Sequence, residues 1–147
     1  SFDLVWGQDA WCHVVDKNAL LRECARVLVP DGTIAFTDWV ITGAMSETER
    51  EALLSAAASS TMASVECYRA MLAEQGFEVK AESDISGDFV EQFREIMAGL
   101  LSSEVAISRK FSPRVFSIVR EKNGEILTAV EDRKMGGVKF IAAKSRG

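Results

Sequence analysis

The sequence has few of the residues that build metal sites and disulfide frameworks. Its three cysteines, Cys12, Cys24 and Cys67, form no Cys-x-x-Cys pair, and His13 is the one histidine among 147 residues. A structural zinc site takes about four nitrogen or sulfur ligands. We therefore predict no metal site, and reduced cysteines that pack as small apolar side chains.

The sequence also lacks the charge pattern of nucleic-acid-binding proteins and the long apolar runs of membrane proteins. Seventeen basic residues against 22 acidic ones give a net charge of −5, and the basic residues form no stripe that could neutralise phosphates. No apolar run approaches the roughly 20 residues needed to cross a bilayer. We expect a soluble, cytoplasmic protein without a nucleic-acid or membrane partner.

The first forty residues contain a strand, a helix and a second strand. Residues 2–6 and 33–37 are short apolar runs, which are typical of strands covered on both faces by helices. Between them, apolar residues recur at helical spacing over 16–29, with Asp16 as the expected N-cap. Such a unit requires parallel strands joined by a right-handed crossover.

The rest of the chain continues this alternation of helices and strands. A capping box formed by Ser46 and Glu49 opens a helix that ends near Ser59. The remaining predicted elements are helices at 64–75 and 87–102, a helical region at 112–135 weakened at Asn123-Gly124, and strands at 77–81 and 138–143. We predict an α/β fold with at most four strands, in one domain over residues 1–147.

Two segments follow the predicted parallel strands, where open α/β sheets bind ligands. Residues 7–13 follow the first strand, and Asp38 and Trp39 follow the second. Asp9 and His13 are four residues apart, so one helical turn would place a cation-binding carboxylate beside a group that transfers protons. Alternatively, Asp9 only caps a turn and His13 is a half-exposed residue before the helix.

The three tryptophans, Trp6, Trp11 and Trp39, lie in or just after these two strands, with Asp9 and Asp38 nearby in sequence. Indole faces and carboxylates together attract ammonium groups through cation–π and Coulomb interactions. The pattern therefore suggests a site for an amine. The alternative is that the tryptophans belong to the hydrophobic core.

The chain resembles the class I S-adenosylmethionine-dependent methyltransferases, especially the branch that methylates small amines such as sarcosine, dimethylglycine and phosphoethanolamine. The resemblance is carried first by the stretch FDLVWGQDAWCHVVDKNALLRECARVLVPDGTIAFTDW. Its most specific marks are the phrase Gln-Asp-Ala-x-x-His from Gln8 to His13 and the Leu-x-Pro-x-Gly turn. The later segments YRAMLAEQGFEV and GGVKFIAAK extend the resemblance over essentially the whole chain.

The resemblance implies a fold and a cofactor. The fold is a partial Rossmann-like methyltransferase sheet holding strands 4, 5, 6 and 7 of the family, with helices on both faces and an antiparallel last strand. The cofactor is S-adenosylmethionine, with Gln8 at a position that contacts it and Trp6 assigned to the same side.

The resemblance also implies roles on the acceptor side. Asp9 holds the substrate amine and His13 is the catalytic histidine, so we predict both as catalytic residues. We predict the substrate-binding residues to be Asp9, Trp11, Asp38 and Trp39.

The glycine-rich cofactor turn of this family is not in the sequence. The ten glycines include no Gly-x-Gly, and no strand precedes position 2. We therefore expect the C-terminal portion of a methyltransferase without its S-adenosylmethionine-binding half. Residues 2–6 would then leave an open strand edge, which predicts a homodimer through that strand or through exchanged elements.

Two functions remain open at this point. The first is a domain derived from a methyltransferase that transfers a methyl group from S-adenosylmethionine to a small amine. The second is a non-catalytic module that dimerises and binds a small cationic ligand or a protein.

Overall fold

The computed structural model describes residues 1–145, and its strands form one mixed sheet. The strands are β1 (Phe2–Gln8), β2 (Leu28–Ile41), β3 (Phe77–Asp84) and β4 (Met135–Lys144). Their order in space is β1-β2-β4-β3. β1 lies parallel to β2, while β4 runs antiparallel to both β2 and β3. The predicted α/β class with an antiparallel last strand is confirmed.

Helices fill the connections between these strands. Within the described residues they are α1 (Lys17–Val27), α2 (Glu47–Ala56), α3 (Val65–Glu74), α4 (Ser86–Ser102), α5 (Glu104–Lys110) and α6 (Pro113–Glu131). A single 3₁₀ turn, Trp11–His13, follows β1.

The helix starts follow the capping residues seen in the sequence. The Asp16 carboxylate accepts a hydrogen bond from the backbone N–H of Ala19 at 2.8 Å and begins α1. Ser46 and Glu49 form the predicted capping box at the start of α2. Because these caps satisfy backbone N–H groups locally, the N-termini of these helices could be located from sequence alone.

The end of α1 differs from the prediction. The helix ends at Val27, and the chain enters β2 at Leu28 without an intervening turn. The Pro-Asp-Gly sequence at 30–32 lies inside β2, where the pairing with β1 is irregular. A Cβ on Gly32 would lie 2.8 Å from the Val29 carbonyl oxygen, so this irregularity requires glycine.

The helical region after α4 also differs in detail. The sequence predicted no helix at 104–110, yet α5 forms there. Around Asn123-Gly124 we expected either two short helices or one helix with a weak point, and the structure has one helix, since α6 runs unbroken through these residues. The Asn123 side-chain amide donates to the Val119 carbonyl at 2.8 Å, one turn earlier in the helix.

Two hydrophobic clusters lie on opposite faces of the sheet. The first joins α1 and α3 to inward residues of β2 and β4, and includes Leu21, Leu72, Ile34, Phe36 and Phe140. The second joins α2, α4 and α6 to the carboxyl end of β2, and includes Leu53, Phe89, Phe93, Ile126 and Val130. Helices therefore lie on both faces, as predicted.

The face of the sheet that carries the second cluster is uncovered along β1. Val5 packs on the first cluster, so its neighbours Leu4 and Trp6 point to the opposite face, where they are 55% and 71% exposed. Among the described residues β1 pairs only with β2, so its other edge is unpaired. β1 thus presents both an open edge and an open apolar face.

One carboxylate is buried completely in the first cluster. Asp38 has no exposed surface; its Oδ2 accepts the Tyr68 hydroxyl at 2.5 Å and its Oδ1 accepts the backbone N–H of Cys12 at 2.9 Å. Burial raises the pKa of Asp38, opposed by these two donors and by the charge of Lys17. The carboxylate ties α3 and the turn after β1 to β2.

Replacement of Tyr68 by phenylalanine should destabilise the protein in a pH-dependent way. Burial raises the folded-state pKa of Asp38, so the stability that this group contributes is complete below its unfolded pKa of about 3.9 and is lost as pH rises through the folded pKa. Loss of the Tyr68 donor raises that pKa further. Urea unfolding should show a deficit of about 1.5–3 kcal/mol near neutral pH, typical of a lost hydrogen bond to a charged group.

The deficit of Tyr68→Phe should become smaller as pH falls, because the carboxyl group of Asp38 then becomes protonated in both proteins. A deficit that is constant as pH falls, or that grows on acidification, would contradict the assignment of Tyr68 as the donor to an ionised Asp38.

Candidate functional site

The candidate site begins where β1 ends, beside the carboxyl end of β2. The backbone N–H of Asp9 donates to the Thr37 carbonyl at 2.9 Å, and the Asp9 Oδ1 accepts the Thr37 hydroxyl at 2.8 Å. Asp9 adopts a left-handed conformation with φ of 48°. The pairing of β1 with β2 thus extends to Asp9, and the chain then turns sharply away from the strand.

Trp11 anchors this turn in the hydrophobic core. Its ring stacks on Phe36 with centroids 4.0 Å apart, and the residue is 7% exposed. A Cβ on Gly7 would lie only 2.3 Å from the Trp11 Nε1, so glycine at that position is what allows the indole to lie on β1. Trp11 therefore supports the turn from inside the protein.

His13 ends the turn and is exposed. Its Nδ1 lies 3.1 Å from the carbonyl oxygen of Ala58, in the segment after α2. A carbonyl oxygen only accepts hydrogen bonds, so Nδ1 carries the proton and Nε2 keeps its lone pair in the neutral ring. The ring is therefore arranged to accept a proton at Nε2.

Two further side chains join the turn to the segment after α2. The Lys17 ammonium donates to the Val14 carbonyl at 2.9 Å and to the Thr61 carbonyl and hydroxyl at 3.0 and 2.7 Å. The Ser59 hydroxyl lies 2.5 Å from the Cys12 carbonyl oxygen. Burial lowers the pKa of Lys17, opposed by the charge of Asp38.

Sequence reasoning did not identify Lys17, Ser59 or Thr61. Their contacts join residues 44 to 47 positions apart, and no local spacing encodes such a pairing. Lys17 also stands in the first turn of α1, where a lysine ordinarily faces solvent.

The expected helical turn from Asp9 to His13 does not form. Only residues 11–13 are helical, and Asp9 lies outside that turn with a left-handed backbone. Among the described residues no hydrogen bond joins Asp9 to His13; each is fixed to a different partner, Thr37 and Ala58. Both still lie on the same short segment after β1.

The three tryptophans lie in three separate environments. Trp6 is exposed on the open face, and Trp11 is in the first cluster. Trp39 is partly buried and packs edge-on against Phe89 and Phe93, with centroids 6.3 and 5.6 Å away. They form no cage, because Trp11 lies on one face of the sheet, while Trp6 and Trp39 lie on the other face in different surroundings.

The predicted role of Asp38 in substrate binding also disagrees with its position. Asp38 is fully buried, and both of its oxygens accept hydrogen bonds from the protein itself. Of the four predicted substrate-binding residues, Trp11 and Asp38 are core residues, while Asp9 and Trp39 are only partly buried.

Gln8 and Trp6, predicted to face the cofactor, are both exposed on β1, at and near its carboxyl end. They lie on the edge strand, so they can contribute only one side of a nucleotide site. The sequence contains no Gly-x-Gly turn to receive the rest of the cofactor. The described residues therefore do not enclose S-adenosylmethionine by themselves.

No group of three or more potential metal-ligating side chains lies together within residues 1–145.

No helix in the described part of the chain has the length and apolar character to cross a membrane.

Comparison with known proteins gives matches along the chain. Residues 1–36 match the family model described as a methyltransferase domain. A sarcosine/dimethylglycine N-methyltransferase from Halorhodospira halochloris is 38% identical over 77 residues, which is 52% of this chain and 28% of that protein.

Solved structures match nearly the full length of the chain. A protein from Galdieria sulphuraria proposed to be a sarcosine dimethylglycine methyltransferase superimposes with a TM-score of 0.88 and 25% identity, over 99% of this chain and 53% of that one. Phosphoethanolamine N-methyltransferase 2 from Haemonchus contortus, in complex with phosphomonomethylethanolamine and S-adenosylhomocysteine, gives a TM-score of 0.86 over 99% of this chain and 34% of that one. At 22% identity, the second match concerns the fold.

The chain spans about half the length of the Galdieria protein and about a third or less of its first curated relatives. Its β1-β2-β4-β3 sheet corresponds to strands 4, 5, 7 and 6 of the methyltransferase fold, and the cofactor of the family is S-adenosylmethionine. The chain therefore resembles the class I S-adenosylmethionine-dependent methyltransferases, and among them the branch of sarcosine/dimethylglycine and phosphoethanolamine N-methyltransferases.

Proposed function

We propose that this chain carries the acceptor side of a methyltransferase that transfers a methyl group from S-adenosylmethionine to the nitrogen of a small amine. The observation that carries the proposal is the exposed His13, whose Nδ1 is bound to the Ala58 carbonyl and whose Nε2 has no hydrogen-bond partner among the described residues. Relatives named for sarcosine and dimethylglycine support an amine as the acceptor.

Asp9 and His13 have complementary tasks in this proposal. The Asp9 Oδ1 accepts the Thr37 hydroxyl, which fixes the carboxylate and leaves acceptor capacity on Oδ2 for an ammonium group. An amine must lose its ammonium proton before its lone pair can attack a methyl group, and His13 Nε2 accepts that proton directly or through water. The rest of the catalysis is alignment of the two reactants.

The donor side of the reaction needs residues beyond those described. We propose that residues 1–147 act as the C-terminal portion of a methyltransferase domain, with the glycine-rich cofactor turn supplied by strands that would pair with the open edge of β1. The match to 53% of the Galdieria protein supports this division.

We further propose that the isolated chain forms a homodimer through β1. Phe2, Leu4 and Trp6 are 60%, 55% and 71% exposed on a strand with an unpaired edge. Such a strand is a template for pairing, and a second copy would supply an identical strand.

The alternative function, a non-catalytic module that binds a small cation or a protein, is not favoured by the comparisons. The predicted cytoplasmic location stays a prediction.

Methyl transfer can be tested in a chimera that keeps the rest of the Galdieria protein and takes this chain in place of the matching half. Labelled S-adenosylmethionine should transfer its methyl group to sarcosine or dimethylglycine. His13→Ala should lower kcat by about 100-fold or more, the usual effect of losing a general base, while the melting temperature changes little. An unaffected kcat would refute the role of His13, and a folded chimera that binds S-adenosylhomocysteine yet transfers no methyl group would refute the proposed function.

Amine binding can be measured on the chain itself by calorimetry. Dimethylglycine should bind, and Asp9→Asn should weaken binding at least about tenfold, equivalent to about 1.4 kcal/mol. Asp3→Asn is the matched control, since Asp3 is an exposed carboxylate on β1, the strand that Asp9 directly follows. S-adenosylhomocysteine should give no binding heat. Equal effects of the two substitutions would argue against the acceptor role, and tight uptake of S-adenosylhomocysteine would argue against the division of the fold.

Sedimentation velocity at roughly 10 µM, a concentration that tests micromolar affinity, should show a dimer. Trp6→Lys should convert it to a monomer, because a lysine on the open face of β1 opposes edge pairing. Val105→Lys places the same charge at a residue 74% exposed on α5 and should leave the dimer intact. A monomeric wild-type chain would rule out self-association through β1.

A further inference from the structure

We propose that Ser59, Thr61 and Lys17 are positioning residues for His13: they fix the Ala58 carbonyl, which holds the imidazole in its Nδ1–H form. The proposal concerns the same site as the proposed function and rests on it for its catalytic meaning. The structural part of the proposal rests on contacts between the turn after β1 and residues 58–61, which follow α2 and are named the 58–61 segment.

The first contact is the one at the ring. Nδ1 of His13 lies 3.1 Å from the Ala58 carbonyl oxygen. Since a carbonyl oxygen offers no proton, this contact is a hydrogen bond only when Nδ1 is the donor. In water, a neutral histidine side chain favours the opposite form, with the proton on Nε2. The Ala58 carbonyl therefore reverses the intrinsic preference and leaves the lone pair on Nε2, on an exposed ring.

The direction of the Ala58 carbonyl is set by an unfavourable backbone conformation. Ala58 has φ of 50°, in the left-handed region that alanine rarely adopts and that costs roughly 1–2 kcal/mol. The backbone N–H of Ser59 closes the end of α2 by donating to the Leu54 carbonyl at 2.9 Å. A conformation of this kind persists only where neighbouring contacts hold it.

Ser59 supplies the adjacent contact. It is 8% exposed, and its hydroxyl lies 2.5 Å from the Cys12 carbonyl oxygen and 2.9 Å from the Thr61 carbonyl oxygen. Residues 12 and 13 are thus joined to residues 59 and 58 by two hydrogen bonds of opposite direction, one donated by Ser59 and one by His13. Together they fix both the position and the rotation of the imidazole relative to the carbonyl.

Lys17 and Thr61 close the other end of the 58–61 segment. The Lys17 ammonium has three protons, and it has three acceptors within 3.0 Å: the Val14 carbonyl and the carbonyl and hydroxyl of Thr61. Lys17 is 6% exposed, so these bonds are shielded from water. With every proton engaged, Lys17 acts as a fixed link between the two segments and not as a proton donor to a substrate.

The tautomer can be read directly, because His13 is the single histidine of the chain. Long-range proton–nitrogen correlation spectra of histidine-labelled protein, recorded where the ring is neutral, show which nitrogen carries the proton. The wild-type chain should show mainly the Nδ1–H form. Ser59→Ala should shift the tautomer ratio towards Nε2–H by about fivefold, the effect expected when one ordinary hydrogen bond is lost.

Ser60→Ala is the matched control, since Ser60 is exposed and its side chain makes no hydrogen bond among the described residues. It should leave the spectrum unchanged. Lys17→Met is a second test variant, and the tautomer is read from its folded fraction only; its ratio should shift in the same direction as that of Ser59→Ala.

An Nε2–H form in the wild-type chain would overturn the proposal, and so would identical spectra for Ser59→Ala and Ser60→Ala. The measurement uses neither substrate nor methyl donor. If methyl transfer fails while Nδ1–H is observed, the positioning holds and the proposed function is at fault; the reverse result faults the positioning alone.

Discussion

The parallel pairing of β1 with β2 is the constraint on which the candidate site depends. The pairing extends one residue past β1, where the Asp9 backbone N–H donates to the Thr37 carbonyl, and the Asp9 side chain then accepts the hydroxyl of the same threonine. The next residue of β2, Asp38, points to the other face and receives the backbone N–H of Cys12. Two consecutive residues of β2 therefore hold the turn from opposite sides of the sheet, and the turn places His13 beside the end of α2.

The cost of this arrangement is a buried carboxylate. Burial of Asp38 away from water destabilises its charged form, and this desolvation raises the pKa of the carboxyl group. The penalty is limited because each oxygen has a donor, one from Tyr68 and one from the backbone. Lys17 contributes at longer range only, since its ammonium protons are directed at carbonyl and hydroxyl oxygens. The result is a polar link inside a hydrophobic cluster, and it joins the turn and α3 to β2.

Local patterns were sufficient to predict most of the fold. The parallel strand pair, the N-caps at Asp16 and Ser46 and the antiparallel last strand followed from periodicity, capping chemistry and family resemblance.

The tryptophan cage suggested by the sequence does not form, because residues close in sequence need not be close in a sheet. Trp6 and Trp39 share a face, but Trp6 pairs with Ala35, four residues from Trp39, a separation of roughly 13 Å along the strand. Trp11, on the opposite face, stacks on Phe36. Likewise, the hydrogen bonds between Lys17 and Thr61 depend on tertiary packing, which the spacing of residues along the sequence does not predict.

The candidate site residues fall into two groups, those that contacts within this chain hold in place and those that it leaves exposed. Among the described residues, the side-chain hydrogen bonds of Asp9 and His13 are made with β2 and with the 58–61 segment, so both proposed acceptor-side residues are fixed by contacts within this chain. The proposed cofactor residues have no such support, because Trp6 and Gln8 are exposed on the edge strand itself. Preorganisation lowers the cost of binding only for groups that are already fixed. Under the proposed function, acceptor binding and donor binding would therefore be separable properties, with β1 as the boundary between them.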